Sequence, residues 1–473
     1  MSKQSIRETL ERLPASVRYA LLRELQALNG YEPANLTYPD DATMLAALRI
    51  LIGDDSPKRR RVVITGIGAV TPLANSAPET WEALVAGRSG VTPVTQFDAS
   101  LYASSIGAEV KGFDPEVRIP RKEARRMARC SQIAVVAAYE AVEDSGLDLS
   151  QLDGARRGVV MGTGLGGIEL YSDMMRRATE NPDAKVRGKP MEAINGLANM
   201  PAFHISNTFG CRGPLATMVT ACAAGTQAIG HATEEIRRGA ADIMIAGGVE
   251  ALIIDLFYAG FEAMRATTTR NDEPERASRP FDADRDGFVI GEGSVVFVLE
   301  SLEGALARGA RIYAEVLGWS ETADAYHIAQ PDPEGNGAAH AMRAALADAG
   351  LATEDISYIN AHAAGTPLGD AAETRAIKQV FGQQAFRIPI SSTKSMVGHL
   401  FGGAGAIEAM ACVMAVHTGT VHPTINYETP DPDCDLDYVP NVARQVEVNT
   451  ALSNSFGLGG QNACLIVGKL EKE

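Results

Sequence analysis

Cysteine is scarce in this chain: there are six in 473 residues, and no two form a Cys-x-x-Cys pair. Small secreted domains built on disulfides are dense in cysteine, so that architecture is excluded. No spacing of Cys and His matches a zinc site. The sequence therefore predicts free thiols, no metal centre and a reducing compartment, the cytoplasm.

Basic residues are also in short supply. The chain has 43 Lys and Arg against 59 Asp and Glu, which gives a net charge of -16. Nucleic-acid binding requires a basic surface, so that class is excluded, and an acidic partner would need a local basic patch.

Long apolar runs are missing as well. Residues 241–260, the most apolar stretch, carry Asp242, Glu250 and Asp255, which predicts a buried strand and loop and no membrane span. Residues 1–13 are charged and do not form the apolar core of a signal peptide.

Three segments are predicted. Residues 1–60 form a helical extension and linker, either packed on the main body or serving as a docking module for another protein. From residue 61 strands and helices alternate, which is typical of a layered α/β fold. Weak internal similarity divides this body into two halves, residues 61–310 and 311–473. Residues 288–297 (FVIGEGSVVF), for example, resemble residues 456–465 (FGLGGQNACL).

Cys222 is the candidate nucleophile. It follows an apolar strand and precedes a helical stretch of small residues, AAGTQAIG. A thiol at a helix N-terminus is expected to have a lowered pKa, and a backbone N–H there is free to bind an oxyanion. The other five cysteines lack these surroundings.

Two histidines are candidates for the same site. His362 and His399 each follow a predicted strand and lie in glycine-rich loops of the second half, the latter close to Lys394. A lone histidine is more often structural, but two in equivalent settings favour catalysis. The GxGxxG pattern at residues 162–167 matches a dinucleotide fingerprint, yet no ribose-binding acid follows, which favours a structural turn.

At these residues the sequence resembles the elongating β-ketoacyl-[acyl carrier protein] synthases, over about residues 61–468. The matching motifs are residues 220–225 (TACAAG), 392–399 (STKSMVGH), 454–457 (NSFG) and 279–282 (RPFD). The resemblance implies an α/β thiolase fold: two similar halves in a layered αβαβα arrangement, here with the small N-terminal helical extension.

The same resemblance implies a mechanism. Cys222 takes an acyl group from a carrier protein, and the N–H groups of Cys222 and Leu458 form an oxyanion hole. Malonyl carrier protein then loses CO2 while His362 and His399 stabilise the enolate. Lys394, paired with Glu373, holds the charges of the histidines. No cofactor is implied, because decarboxylation drives the step.

Two departures from the family pattern concern the substrate channel. Ala363 and Ala364 replace the usual Gly and Thr, so one hydroxyl that bonds the pantetheine arm is lost, while Thr366 keeps the second. After Phe456, Leu458 stands in place of a gating Phe. It is either a wider gate or a neutral replacement compensated by a neighbour.

The implied partners are an acyl carrier protein and a second subunit, as a homodimer or a ketosynthase-type heterodimer. The alternative function is a non-condensing chain-length-factor-like subunit of a polyketide synthase, although such subunits lack the active cysteine. A starter-type synthase would have Asn in place of His399. A patch for the acidic carrier protein, or else only a solvated charged face, is predicted from Lys122, Arg125, Arg126, Arg265 and Arg270.

Overall fold

The computed structural model describes residues 59–149, 152–180 and 188–470. From Arg60 onward the chain forms one compact unit. The predicted helical extension lies outside the described residues, except for residues 59 and 60.

The strands and helices alternate along the described chain. The strands are β1 (Val62–Val70), β2 (Thr92–Pro93), β3 (Ile106–Gly107), β4 (Arg157–Gly162), β5 (Leu215–Met218), β6 (Ile243–Glu250), β7 (Gly293–Ser301), β8 (Ala314–Ala323), β9 (Tyr358–Asn360), β10 (Ile390–Ser391), β11 (Thr420–Val421), β12 (Arg444–Gln445), β13 (Thr450–Gly457) and β14 (Gln461–Gly468). The helices are α1 (Ala77–Val85), α2 (Arg121–Ala124), α3 (Arg129–Ser145), α4 (Ile168–Glu180), α5 (Glu192–Asn195), α6 (Met200–Phe209), α7 (Ala224–Arg237), α8 (Asp255–Ala263), α9 (Leu302–Ala307), α10 (Asn336–Ala349), α11 (Pro367–Phe381), α12 (Lys394–Val397) and α13 (Ala404–Thr418).

Ten strands form one mixed sheet in which the two halves have the same topology. The order is β10-β9-β13-β14-β8-β1-β7-β6-β4-β5. Counted within each half from its outer edge, the strands follow the order third, second, fourth, fifth, first. In both halves the second strand runs parallel to its two neighbours and the fifth runs antiparallel. The predicted pair of similar halves is confirmed by this arrangement.

The central layer consists of α7 and α13, which follow the third strand of each half. Both helices contact strands of both halves. Nearly every residue of α13 is buried, as expected for a helix that is apolar on all sides. All nine residues of β1 are buried too, since it lies where the halves meet. Together α7 and α13 hold the two halves around a common core.

The outer layers complete the αβαβα order. On the first half α3 packs against β1, β6 and β7, and α6 packs against α3. On the second half α10 packs against β8 and β14, with α11 beside it. The domain boundary predicted at residue 310 falls between α9 and β8.

One described stretch, Phe401–Thr418, is long and apolar enough to cross a membrane. It consists of a short turn and α13, and 83% of it is buried inside the protein. Its hydrophobicity is accounted for by its place between the two halves.

Candidate active site

Cys222 lies on the predicted strand-to-helix turn. A 3-10 turn, Ala221–Ala223, joins β5 to α7. The turn has a strained backbone, because Ala221 adopts a φ of 50°. The Cys222 side chain is 3% exposed. It is one of six cysteines, all of them free and buried.

The sequence predicted a lowered pKa for Cys222, and this prediction is wrong in sign. Burial raises the pKa of Cys222 to about 11, although Lys394 and the backbone N–H of Leu458 act to lower it. Desolvation of the charged form outweighs these favourable contacts. The resting nucleophile is therefore a thiol, and its thiolate must be stabilised during the reaction.

His399 is directly beside the nucleophile. Its Nε2 lies 2.9 Å from Sγ of Cys222, while its Nδ1 accepts the backbone N–H of Phe401 at 3.2 Å. Burial and the charge of Lys394 hold the pKa of His399 well below its usual range. A neutral ring whose Nδ1 accepts carries its proton on Nε2, so His399 presents an N–H donor to Cys222.

His362 belongs to the second half, as His399 does, and its ring lies beside that of His399. Its ring lies 5.5 Å from that of His399, centroid to centroid. Nζ of Lys394 is 3.3 Å from Nδ1 of His362 and also donates to its backbone oxygen. Burial and Lys394 hold the pKa of His362 well below normal. With an ammonium donor at Nδ1, this neutral ring also carries its proton on Nε2.

Lys394 has a different ion-pair partner from the predicted one. Its ammonium pairs with Glu408 of α13, and both side chains are almost fully buried. Glu408 also accepts from Ser455 at 3.1 Å. The predicted pairing with Glu373 is therefore wrong, because α13 places a carboxylate closer to the ammonium.

Glu373 supports the His362 loop by accepting hydrogen bonds. Its carboxylate receives the backbone N–H groups of His362 at 2.9 Å and Ala363 at 2.8 Å, and the side-chain amide of Asn454 at 3.1 Å. Burial raises the pKa of Glu373 to about 7. Its role is to fix the loop that carries His362.

The β13–β14 turn brings a backbone donor to the thiol. The N–H of Leu458 is directed at Cys222. Gly457 permits this approach, since a Cβ there would lie 2.9 Å from the oxygen of Thr220 and 3.4 Å from the nitrogen of Cys222. The ring of Phe456 lies 5.7 Å from that of His362.

A cavity of about 140 Å³ opens onto these groups, and its lining is mainly apolar. The two positions that depart from the family pattern, Ala364 and Leu458, both line it. Thr366 lines it as well, but its hydroxyl caps α11 by accepting from Gly369 at 3.2 Å. That hydroxyl retains its proton for donation to a bound molecule.

The predicted basic patch is only partly helical. Lys122 lies in α2, a single turn that ends at Ala124, so Arg125 caps this helix and Arg126 falls beyond it. The expected three-residue helical face is therefore wrong, although all three side chains are exposed. Arg265 is exposed, with a φ of 51°, whereas Arg270 is half-buried and pairs with Asp286 at 3.7 Å.

Two residues of the site were not found from the sequence. Glu408 is the one acidic residue in the apolar α13, and a charge in a buried helix signals a partner. Phe401 contributes a backbone N–H, which leaves no signal in residue type.

The glycine turn at 162–167 proved structural: Glu250 accepts the N–H groups of Gly164 and Leu165, where a dinucleotide phosphate would otherwise bind.

Comparison with known proteins identifies this arrangement. Residues 59–305 match the family model of the β-ketoacyl synthase N-terminal domain, and residues 313–428 that of its C-terminal domain. The chain belongs to the β-ketoacyl synthase family. It is 50% identical to 3-oxoacyl-[acyl-carrier-protein] synthase 2 of Synechocystis sp., with 88% of this chain and 99% of the relative covered. The corresponding enzyme of Coxiella burnetii is 46% identical, with 87% and 99% covered.

Solved structures agree with this family. The ishigamide ketosynthase/chain length factor superposes with a TM-score of 0.82 at 37% identity, covering 87% of this chain and 100% of that chain. A type II polyketide ketosynthase, solved with its acyl-carrier protein and a hexaketide, gives a TM-score of 0.80 at 35% identity, covering 88% and 100%. The predicted family, thiolase fold and enzyme class are confirmed. This β-ketoacyl synthase is an acyl-transferring condensing enzyme.

Proposed function

We propose that this β-ketoacyl synthase condenses malonyl carrier protein with an acyl chain held on Cys222, in fatty-acid or polyketide synthesis. One observation carries the proposal: Nε2 of His399 lies 2.9 Å from Sγ of Cys222, in a ring whose other nitrogen is occupied by a backbone donor. A thiol nucleophile and an N–H donor thus meet at one point of the cavity.

Acyl transfer is the first step. Sγ of Cys222 attacks the thioester carbon of an acyl carrier protein, and the backbone N–H groups of Cys222 and Leu458 bind the oxyanion. The pantetheine thiolate leaves and takes the proton that Cys222 loses. The N–H of His399 stabilises the developing cysteine thiolate, which offsets the cost of burying that charge.

Decarboxylation is the second step. Malonyl carrier protein places its thioester oxygen between the Nε2–H groups of His362 and His399, which donate to the enolate oxygen as CO2 departs. Because both rings are neutral donors, they stabilise the enolate without transferring a proton to it. Lys394 keeps His362 in this tautomer through its contact with Nδ1.

Carbon–carbon bond formation is the third step. The enolate carbon attacks the acyl carbon on Cys222, the bond to Sγ breaks, and β-ketoacyl carrier protein is released. The departing thiolate takes a proton from solvent and regenerates the thiol. These steps use no metal and no redox cofactor.

The test separates the two half-reactions. His399→Ala should reduce decarboxylative condensation on the order of 100-fold, while acylation of Cys222 is reduced much less. His340→Ala, at an exposed histidine of α10, is the matched control and should leave both reactions unchanged. Equal loss of both half-reactions in His399→Ala would contradict the proposed role.

A second copy of the chain is proposed as the partner on β5. This strand is the last of the sheet, and in the described part of the chain only β4 pairs with it. Leu215 and Val219 are each 51% exposed there, and Phe203 on the adjoining α6 is 43% exposed. An exposed apolar edge of this kind favours pairing with another chain. A ketosynthase-type heterodimer would use the same edge.

Sedimentation measures that assembly directly. The purified chain alone should sediment as a dimer, and Val219→Lys should shift it to a monomer. A wild-type monomer that dimerises only with a chain-length-factor-like subunit would show the heterodimer instead.

We place the enzyme in the cytoplasm, where its six free thiols stay reduced.

The alternative of a non-condensing subunit is disfavoured by the complete site. Cys222, His399 and His362 are all present and in contact range, and Lys394 holds His362 through Nδ1. A subunit without condensing activity has no need of this arrangement.

A further inference from the structure

Glu250 makes a set of contacts that the proposed reaction does not use. It is the last residue of β6 and is fully buried. Its carboxylate accepts the backbone N–H groups of Gly164, Leu165 and Gly402 and the hydroxyl of Thr163. A buried carboxylate with four donors strongly constrains the backbone of each segment that supplies them.

One of these donors belongs to the segment that orients His399. Gly402 donates to Glu250 at 3.1 Å, and the preceding residue, Phe401, donates its N–H to Nδ1 of His399. The Phe401 ring also stacks on the His399 ring, with centroids 4.6 Å apart and planes 15° apart. Phe401 therefore sets both the position and the tautomer of His399.

The Phe401 backbone is strained and has to be held in place. Its φ is 44°, a left-handed conformation that is strained for a non-glycine residue. Such a conformation persists only when its surroundings fix it. Gly402 packs backbone to backbone on the glycine turn, since a Cβ on Gly402 would lie 2.4 Å from Cα of Thr163. Glu250 joins these two segments through its side chain.

We infer that Glu250 is a positioning residue for decarboxylation: it holds residues 401–402 so that the Phe401 N–H stays on Nδ1 of His399 and the ring proton faces Cys222. Without the carboxylate, the segment relaxes from its strained φ and Nδ1 loses its donor. The ring then samples the Nδ1–H tautomer, which presents a lone pair instead of a proton to the enolate oxygen.

The inference rests on the roles proposed for Cys222 and His399. It also predicts an uneven effect on the two half-reactions. Acylation loses only the His399 contact to the thiolate, because its oxyanion is bound by the backbone N–H groups of Cys222 and Leu458, which Glu250 does not contact. Malonyl decarboxylation depends on the tautomer and should suffer most.

The variant that tests this is Glu250→Gln, and the chain offers a matched control. Glu140 is also a carboxylate whose pKa burial raises to about 7, and it accepts two backbone N–H groups, those of Ala69 and Ala77. It has no hydrogen bond to residues 399–403. Glu140→Gln therefore reproduces the loss of a partly buried carboxylate that accepts backbone N–H groups, without the proposed consequence for His399.

The readouts are the 15N spectrum of labelled histidine and the rates of the two half-reactions. We expect Glu250→Gln to show Nδ1–H signal for His399, a decarboxylation rate lowered at least ~10-fold, and acylation within a few-fold of wild type. Glu140→Gln should keep the Nε2–H tautomer and both rates. Thr163→Val, which removes one donor to Glu250, should show a smaller shift of the same kind even if Glu250→Gln does not fold.

An unchanged tautomer in both Glu250→Gln and Thr163→Val, or parallel loss of both half-reactions, would overturn the inference. Failure of the proposed function itself looks different, because wild type would then show no decarboxylation that depends on His399.

Discussion

Nζ of Lys394 lies 3.3 Å from Nδ1 of His362, so a buried ammonium fixes which ring nitrogen of that histidine carries the proton. Burial, and after it the same cation, depress the pKa of His362 and that of His399. Burial and this cation thus keep both histidines neutral, and in His362 the cation also directs the N–H toward the substrate.

This relationship predicts how the histidines titrate. A depressed pKa means that the ring stays neutral as the pH falls below the ordinary value for histidine. In 15N spectra, His362 and His399 should remain neutral Nε2–H tautomers through the pH range, about 6.5, in which an unperturbed histidine takes up its second ring proton. A titration of His362 in that range would show that burial and Lys394 do not depress its pKa.

The Lys394–Glu408 pair predicts a stability effect that depends on pH. Lys394→Met leaves Glu408 buried without its cation, a loss of about 3–5 kcal/mol when the carboxylate is charged. Burial already raises the pKa of Glu408 to about 7, so folding favours its protonated form. In wild type, stability contributed by that proton is lost as the pH rises to about 7. Without Lys394, which acts to lower this pKa, the pKa of Glu408 rises further, so the variant goes on losing stability above pH 7 and its deficit should grow there.

Urea unfolding of the single and double variants measures this effect. Lys394→Met/Glu408→Gln removes both charges and should recover most of the stability, but not the condensing activity, because His362 still lacks its donor. If Lys394→Met were as stable as wild type at pH 9, the ion pair between Lys394 and Glu408 would not form in the protein.

A substitution at Leu458 tests whether this residue sets the width of the cavity mouth. It lines the cavity and is 38% exposed. Leu458→Phe should narrow the mouth, so that kcat/KM falls for long or rigid acyl primers and changes little for the shortest one. A uniform fall across primers would mean only that Phe does not fit. No change would mean that Leu is a neutral replacement at this position.

The exposed basic residues test carrier-protein docking. Reversing Arg125 and Arg126 to Glu should raise KM for an acidic carrier protein, and the effect should shrink at high salt because exposed charges are screened. Arg387→Glu, at another exposed position, is the control. An unchanged KM at low salt would show that these residues form an ordinary solvated face.

Local patterns were sufficient to predict the layered fold and the three residues that meet in the cavity. Cys222 and His399 follow the third strand of each half, and His362 follows the neighbouring second strand, so the carboxyl ends of these strands converge. The ion pair of Lys394 was not predictable in this way. Its partner lies one helix later, and only packing of α13 between the halves brings Glu408 to the ammonium.

The two other errors have different physical reasons. The helix N-terminus was expected to lower the pKa of Cys222, but a side chain that is 3% exposed loses more from desolvation. The basic helix ends early because Ala128 is extended, with a ψ of 153°, where the chain turns into α3. Neither the depth of a site nor such a chain reversal is visible in residue periodicity.

Mass mapping of the acyl-enzyme tests the central claim most directly. After incubation with an acyl carrier protein, the acyl group should be found on Cys222 alone. Adding malonyl carrier protein should discharge it, with one CO2 and one β-ketoacyl carrier protein formed per acyl group lost. Cys211→Ala should behave like wild type. An adduct on a different cysteine, or condensation that survives Cys222→Ala, would contradict the account.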